Sequence, residues 1–104
     1  MDAIQVHTKQ ALFDLLAANS TKIRAFGVER LGVFGSFCKE TNTDKSDIDL
    51  LVDFSPESKN FDNFMELSFF LEDLLGRKTE LVTTASLSPF IGPYILNEVE
   101  YVSL

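Results

Sequence analysis

An α/β (α+β) fold, a small sheet flanked by helices, is predicted by three features of the sequence. Strand-length apolar runs, Arg30 to Phe34, Asp47 to Phe54 and Lys78 to Thr83, alternate with longer stretches of helical composition. Gly27 and Gly76 stand where helices should stop, and Ser55-Pro56 stands where a strand should. The chain has 104 residues, 45% of them hydrophobic, with ten Phe and no Trp. That is enough for one modest core and too little for two, so one domain over residues 1–104 is expected.

The first helix is expected from about Ile4 to Ala18, where Ala11, Leu12, Leu15 and Leu16 fall at helical spacing. His7 lies within it and, with no Cys, His or acid cluster nearby, reads as a surface residue. Asn19-Ser20 marks a break, with Ser20 as N-cap of a second short helix to about Phe26. Arg30 to Phe34 is the first strand and ends at Gly35. A short helix from Ser36 would aim free backbone N–H groups past the end of that strand. Taken alone, Gly35-Ser36 would be an ordinary turn.

Thr41 to Ser46 is polar and turn-like. In the second strand, Asp47 and Asp49 fall on one face, and Ile48, Leu50 and Val52 on the other. Asp53 shares the parity of the pair but reads as a solvated strand end. Phe61 to Leu75, starting near Asn60, is the longest helix, stopped by Gly76. Its apolar residues are too many for one narrow stripe, and Asp62, Glu66 and Asp73 form a small acidic sector beside Phe69. One face should cover the sheet and leave another for a partner. The third strand puts Glu80 and Val82 on one face and Leu81 on the other. Ser86 or Ser88 should start the last helix, with Pro89 in its first turn and Gly92-Pro93 bending it. Phe90, Ile91, Tyr94, Ile95 and Leu96 are expected to pack, as are Tyr94 and Tyr101 by default, and Glu100 to Ser103 to form a short edge strand.

The net charge is −7, and of nine basic residues only Arg77 and Lys78 are adjacent. Nucleic-acid binders cluster such residues against phosphates, so direct nucleic-acid binding is not expected. A basic protein partner is the better electrostatic match, although acidity also simply keeps a small protein soluble. No run reaches the length of a membrane helix, and Met1 to Gln5 lacks the basic start of a signal peptide. Cys38 is the only cysteine, which excludes an internal disulfide or a multi-cysteine zinc site. No membrane association and a cytoplasmic location are the expectation.

Gly35 to Asp53 concentrates the chemistry. Ten residues separate Ser36 from Asp47, and Asp49 follows two further on. An Asp beside Ile and Leu is costly to bury without a partner. Two carboxylates at i and i+2 repel each other unless a cation lies between them. A divalent metal site follows from that argument.

The spacing of Gly35, Ser36, Asp47 and Asp49 resembles the signature of the polymerase-beta-like nucleotidyltransferase superfamily. The resemblance extends through Gly76 to Thr83 and Leu87 to Val102, and is nearest to minimal nucleotidyltransferase domains, antitoxin partners of HEPN-domain toxins. It implies a small mixed sheet with three carboxylates at one end. Asp47, Asp49 and Glu80 would be the catalytic, magnesium-binding residues, with Glu80 as third ligand or as base near the acceptor, where the family usually has Asp. Gly35, Ser36 and Lys39 would hold the phosphates of the nucleotide. The family pattern often has Arg and Gly where Lys39 and Glu40 stand; Lys39 keeps a cation but not the bidentate fork of Arg.

The function so implied is transfer of AMP from ATP, with about two Mg2+ ions, to a tyrosine of a cognate HEPN toxin. The acceptor would come from another chain, in a homo- or hetero-oligomer. Two alternatives accompany it: an antitoxin with a weak or inactive site that acts by binding alone, and a nucleotidyltransferase for a small molecule of aminoglycoside type.

Overall fold

The computed structural model describes residues 5–104, so the helix start at Ile4 and the residues Met1 to Ile4 lie outside the described residues. The chain runs α1 (Lys9–Ala18), α2 (Ser20–Ala25), β1 (Val28–Phe34), α3 (Gly35–Lys39), β2 (Ile48–Phe54), α4 (Phe61–Leu75), β3 (Thr79–Thr83), α5 (Gly92–Glu98) and β4 (Glu100–Tyr101). Single 3-10 turns follow β2 at Pro56–Ser58 and β3 at Thr84–Ser86. The sheet is mixed, in the order β3-β2-β1-β4. β1 is antiparallel to β2 and β4, whereas β2 and β3 are parallel. A parallel pair needs a long crossover, and α4 supplies it.

Strand parity decides which side becomes core. Leu31 and Val33 of β1 pair with Val52 and Leu50 of β2, and Leu50 pairs with Leu81 of β3. Those side chains are buried together with Ile48, Leu12, Leu16, Ile23 and Phe37. α4 adds Leu67, Leu71 and Leu75, one residue per turn. Its other sides carry the expected acidic sector and leave Phe61 and Phe69 76% and 61% exposed. Asn60 caps its start by accepting from the Asn63 N–H, and Gly76, at φ +66°, ends it in the left-handed conformation.

The structure corrects several expectations. α1 begins at Lys9 behind a Thr8 cap, so His7 precedes the helix. Ser20 is the first residue of α2, not its cap. Asn19 holds the cap position, and its amide donates back to the Leu15 carbonyl instead of capping forward. β1 starts two residues earlier than expected, at Val28. Asp47 lies just outside β2, which begins at Ile48. Asp53 is not a free strand end: it faces Arg30 in register and accepts two hydrogen bonds from its guanidinium, at 2.7 and 2.9 Å.

The last helix starts at Gly92, so Gly92-Pro93 opens α5 and does not bend it; a Pro in the first turn removes an N–H that has no helical acceptor. Phe90, Ile91, Tyr94 and Leu96 do not pack as expected, standing 86%, 55%, 75% and 48% exposed. Tyr101 lies beneath the Arg30 guanidinium, 4.8 Å from ring centre to cation. The edge strand forms as expected but is only two residues long. Among the described residues, no helix is long and apolar enough to cross a membrane.

Candidate active site

Gly35 turns the chain from β1 into α3 with φ +74°, and a Cβ at this position would lie 2.2 Å from Oδ2 of Asp49. Only glycine satisfies both the backbone angle and the close approach. Asp49 pairs with Phe34 across the antiparallel ladder and with Glu80 across the parallel one. The Gly35 turn, Asp49 and Glu80 therefore stand side by side at one end of the sheet. Asp47 comes two residues before Asp49, half-buried, and Ser36 is the second residue of α3, also half-buried. Glu80 is exposed.

The segment leading to Asp47 is held from below. Arg77, only 7% exposed, donates from Nη1 to the carbonyls of Asp44 and Ser46 at 2.9 and 3.1 Å. Its Nε donates to the Val6 carbonyl, and its Nη2 meets Nδ1 of His7 at 3.1 Å. The guanidinium also lies over the Phe37 ring at 5.3 Å. His7 is thus an exposed residue with an anchored nitrogen. Ile48 N–H then donates to the Lys78 carbonyl, so Asp47 lies between two pinned points.

The electrostatics are one-sided. Burial, with the charges of Glu80, Asp47 and Glu98, pushes the Asp49 carboxyl up from 3.8 to about 6. Among the described residues, no Lys, Arg or His forms an ion pair with Asp47, Asp49 or Glu80. Nor, among the described residues, are three His, Cys, Asp or Glu side chains gathered closely enough to hold a metal ion as they stand. What favours a cation is the chemistry of the donor set. These are hard carboxylate oxygens, one of them half-buried and held in an unfavourable charge state, beside a glycine cradle that admits no side chain.

Lys39 ends α3 with its ammonium 3.1 Å from Oε2 of Glu98. The other oxygen of Glu98 accepts from the Gly35 N–H at 3.1 Å. These two bonds hold the Glu98 carboxyl below its ordinary value. Glu40, after Lys39, has φ +60°, a left-handed conformation that costs a non-glycine residue about 1–2 kcal/mol. Glu98 and Arg77 are the two contributors that sequence reasoning missed. No local spacing signals them: Glu98 reaches Gly35 across 63 residues, and Arg77 reaches Val6 across 71. A basic residue just after the glycine that stops α4 was the one available hint for Arg77.

The model of the nucleotidyltransferase domain family matches residues 15–102. The protein adenylyltransferase MntA of Thermococcus cleftensis is 40% identical over 96 residues, which span 91% of this chain and 96% of that protein. A solved structure assigned as a minimal nucleotidyltransferase superimposes with a TM-score of 0.79 at 29% identity, covering 90% of this chain and 95% of that one. A toxin–antitoxin crystal structure with AMP-PNP shares the fold with a TM-score of 0.67 at 20% identity, over 82% of this chain and 70% of its own.

Proposed function

The chain belongs to the nucleotidyltransferase family as a minimal nucleotidyltransferase, and from that premise we propose that it transfers AMP from ATP to a tyrosine of a cognate HEPN-domain toxin. Asp47, Asp49 and Glu80 would hold Mg2+. Gly35, Ser36 and Lys39 would hold the phosphates. The observation that carries the reading is the uncompensated charge at Asp49, in register with Glu80 and against the Gly35 turn. A site built to receive a cation and a triphosphate has that character before either arrives. The protein adenylyltransferase and the toxin–antitoxin complex named above support an adenylyl donor and a toxin as partner.

In the reaction, the acceptor hydroxyl oxygen bonds to the α-phosphorus. The bond from that phosphorus to the oxygen bridging to the β-phosphorus breaks, and pyrophosphate leaves with the electron pair. Glu80, the most exposed of the three carboxylates, would serve as the third ligand or take the hydroxyl proton as the acceptor approaches. Bound magnesium would neutralise charge on the transferring phosphate and on the leaving group. The main-chain N–H of Gly35, the Ser36 hydroxyl and the Lys39 ammonium orient the triphosphate. The acceptor tyrosine comes from the partner.

A second reading is favoured by one observation: the Lys39 ammonium is engaged with Glu98 and not free for a phosphate. On that reading the protein neutralises the toxin by binding alone. One experiment separates the two. The protein is incubated with labelled ATP, Mg2+ and the product of its neighbouring gene, and mass spectrometry follows that product. A nucleotide-sized gain on a tyrosine, absent with Asp47→Asn, is expected. No gain, with full neutralisation by Asp47→Asn, would establish the binding-only reading.

A further inference from the structure

We infer that the Glu98 carboxylate occupies the triphosphate subsite of the free protein and competes with the donor nucleotide for Gly35 and Lys39, so that Glu98 sets nucleotide affinity. This rests on the assignment of those two residues to the donor's phosphates. Two of the three donors assigned to that subsite, one main-chain N–H and one ammonium, are spanned by a single carboxylate: Oε1 at 3.1 Å from Gly35 N and Oε2 at 3.1 Å from Lys39 Nζ. A phosphate presents the same chemistry, anionic oxygens that accept charge-assisted hydrogen bonds.

Three further features fit a stand-in better than a strut. Glu98 is the last residue of α5, where a negative charge is disfavoured by the helix dipole, so its placement gains nothing from its own helix. Its charge also adds to those of Asp47 and Glu80 beside Asp49, which a folding contact has no reason to do. Its backbone is secured separately: the Cys38 thiol lies 3.5 Å from the Glu98 carbonyl, and β4 begins two residues on and pairs with β1. The side chain can swing away while the main chain stays. Lys39 has a side chain 60% exposed and Glu98 one 28% exposed, so displacement needs no opening of the core.

The consequence is quantitative. If Glu98 fills the subsite about nine-tenths of the time, apparent nucleotide affinity is reduced about tenfold. Glu98→Ala should therefore bind AMP-PNP with Mg2+, and inorganic tripolyphosphate without it, about tenfold more tightly than the parent by calorimetry. Glu98→Gln keeps the size but loses the charge and replaces one of the two accepting oxygens with a donor NH2 group, so it keeps at most one of the two bonds, and its gain should be about threefold. Should Glu98→Ala not fold, the Gln variant decides the matter alone. Unchanged or weaker binding of tripolyphosphate by the folded variants would overturn the inference, because a purely structural Glu98 leaves anion affinity where it was. The proposed function fails separately: if Asp47→Asn still transfers AMP, that reading falls while a tripolyphosphate gain stands. If transfer behaves as proposed but neither variant binds more tightly, the Glu98 inference alone falls.

Discussion

Arg77 and Asp49 carry opposite charges a short way apart in the fold, and the protein treats them oppositely. Arg77 is 7% exposed and fully matched, with three carbonyls, a histidine nitrogen and an aromatic ring around its guanidinium. Asp49 is half-buried with only carboxylates as its charged neighbours, and burial first, then those charges, push it up to about 6. A charge surrounded by partners serves folding, because removing it orphans groups already shielded from water. A charge without partners serves something that arrives later. The two are linked through Asp47: Arg77 fixes the carbonyls just before it, and Asp49 lies two residues after it.

Substitutions can break this contrast. The largest effect is expected from Asp49→Asn, which should lower transfer about 10²–10³-fold, the scale of losing one charged group that acts on the transition state. Stability should move the other way. A carboxyl raised from 3.8 to about 6 in the folded protein imposes its full penalty above that upper value and none below the lower one. Without metal, the variant should therefore melt at or above the parent at pH 7.5. The gap should close as pH falls through 6 and the parent's carboxyl takes up its proton. Melting curves at stepped pH check this.

Arg77→Ala should do the reverse, costing about 2–4 kcal/mol of stability because the buried Val6 carbonyl and the part-buried carbonyls of Asp44 and Ser46 lose their donor. For a domain of this size that is a fall of roughly 10 °C or more in Tm. Transfer measured well below the new Tm should fall less than with Asp49→Asn. Gly35→Ala comes next and strikes both properties at once. The left-handed backbone costs about 1–2 kcal/mol, and the added Cβ displaces Asp49, so nucleotide binding and melting temperature should drop together. The smallest effect belongs to Arg30→Ala. It removes an exposed, solvent-screened pair with Asp53, so it should barely change stability and leave transfer untouched, as activity and chemical denaturation can verify.

Much of this was legible in the sequence, and most of the illegible parts share one cause. Strand parity placed Asp49 away from Ile48, Leu50 and Val52, and all three are buried as alternation demands. Asn60 and Gly76 bound α4 because a cap and a left-handed stop are local chemistry. Leu51 breaks the alternation: it is buried on the side of the sheet that carries Asp49, so that side is not wholly open to solvent. Asp53 looked solvated because its partner Arg30 sits on another strand, and strand register is not a local property. Glu98 and Arg77 escaped notice for the same reason. Gly92-Pro93 reads in sequence as a bend within the last helix because a proline that opens a helix and one that bends it differ only in where the helix begins.

On the proposed function, Asp49 is held in an unfavourable state until a divalent cation, arriving with the triphosphate, neutralises it. Thermal melting of the parent and of Asp49→Asn, with and without Mg2+ and AMP-PNP, tests it most directly. The account predicts that the variant melts no lower than the parent when both are free, and that only the parent gains substantially from the ligands. A variant that melts well below the free parent, or one that gains as much as the parent does, would contradict it.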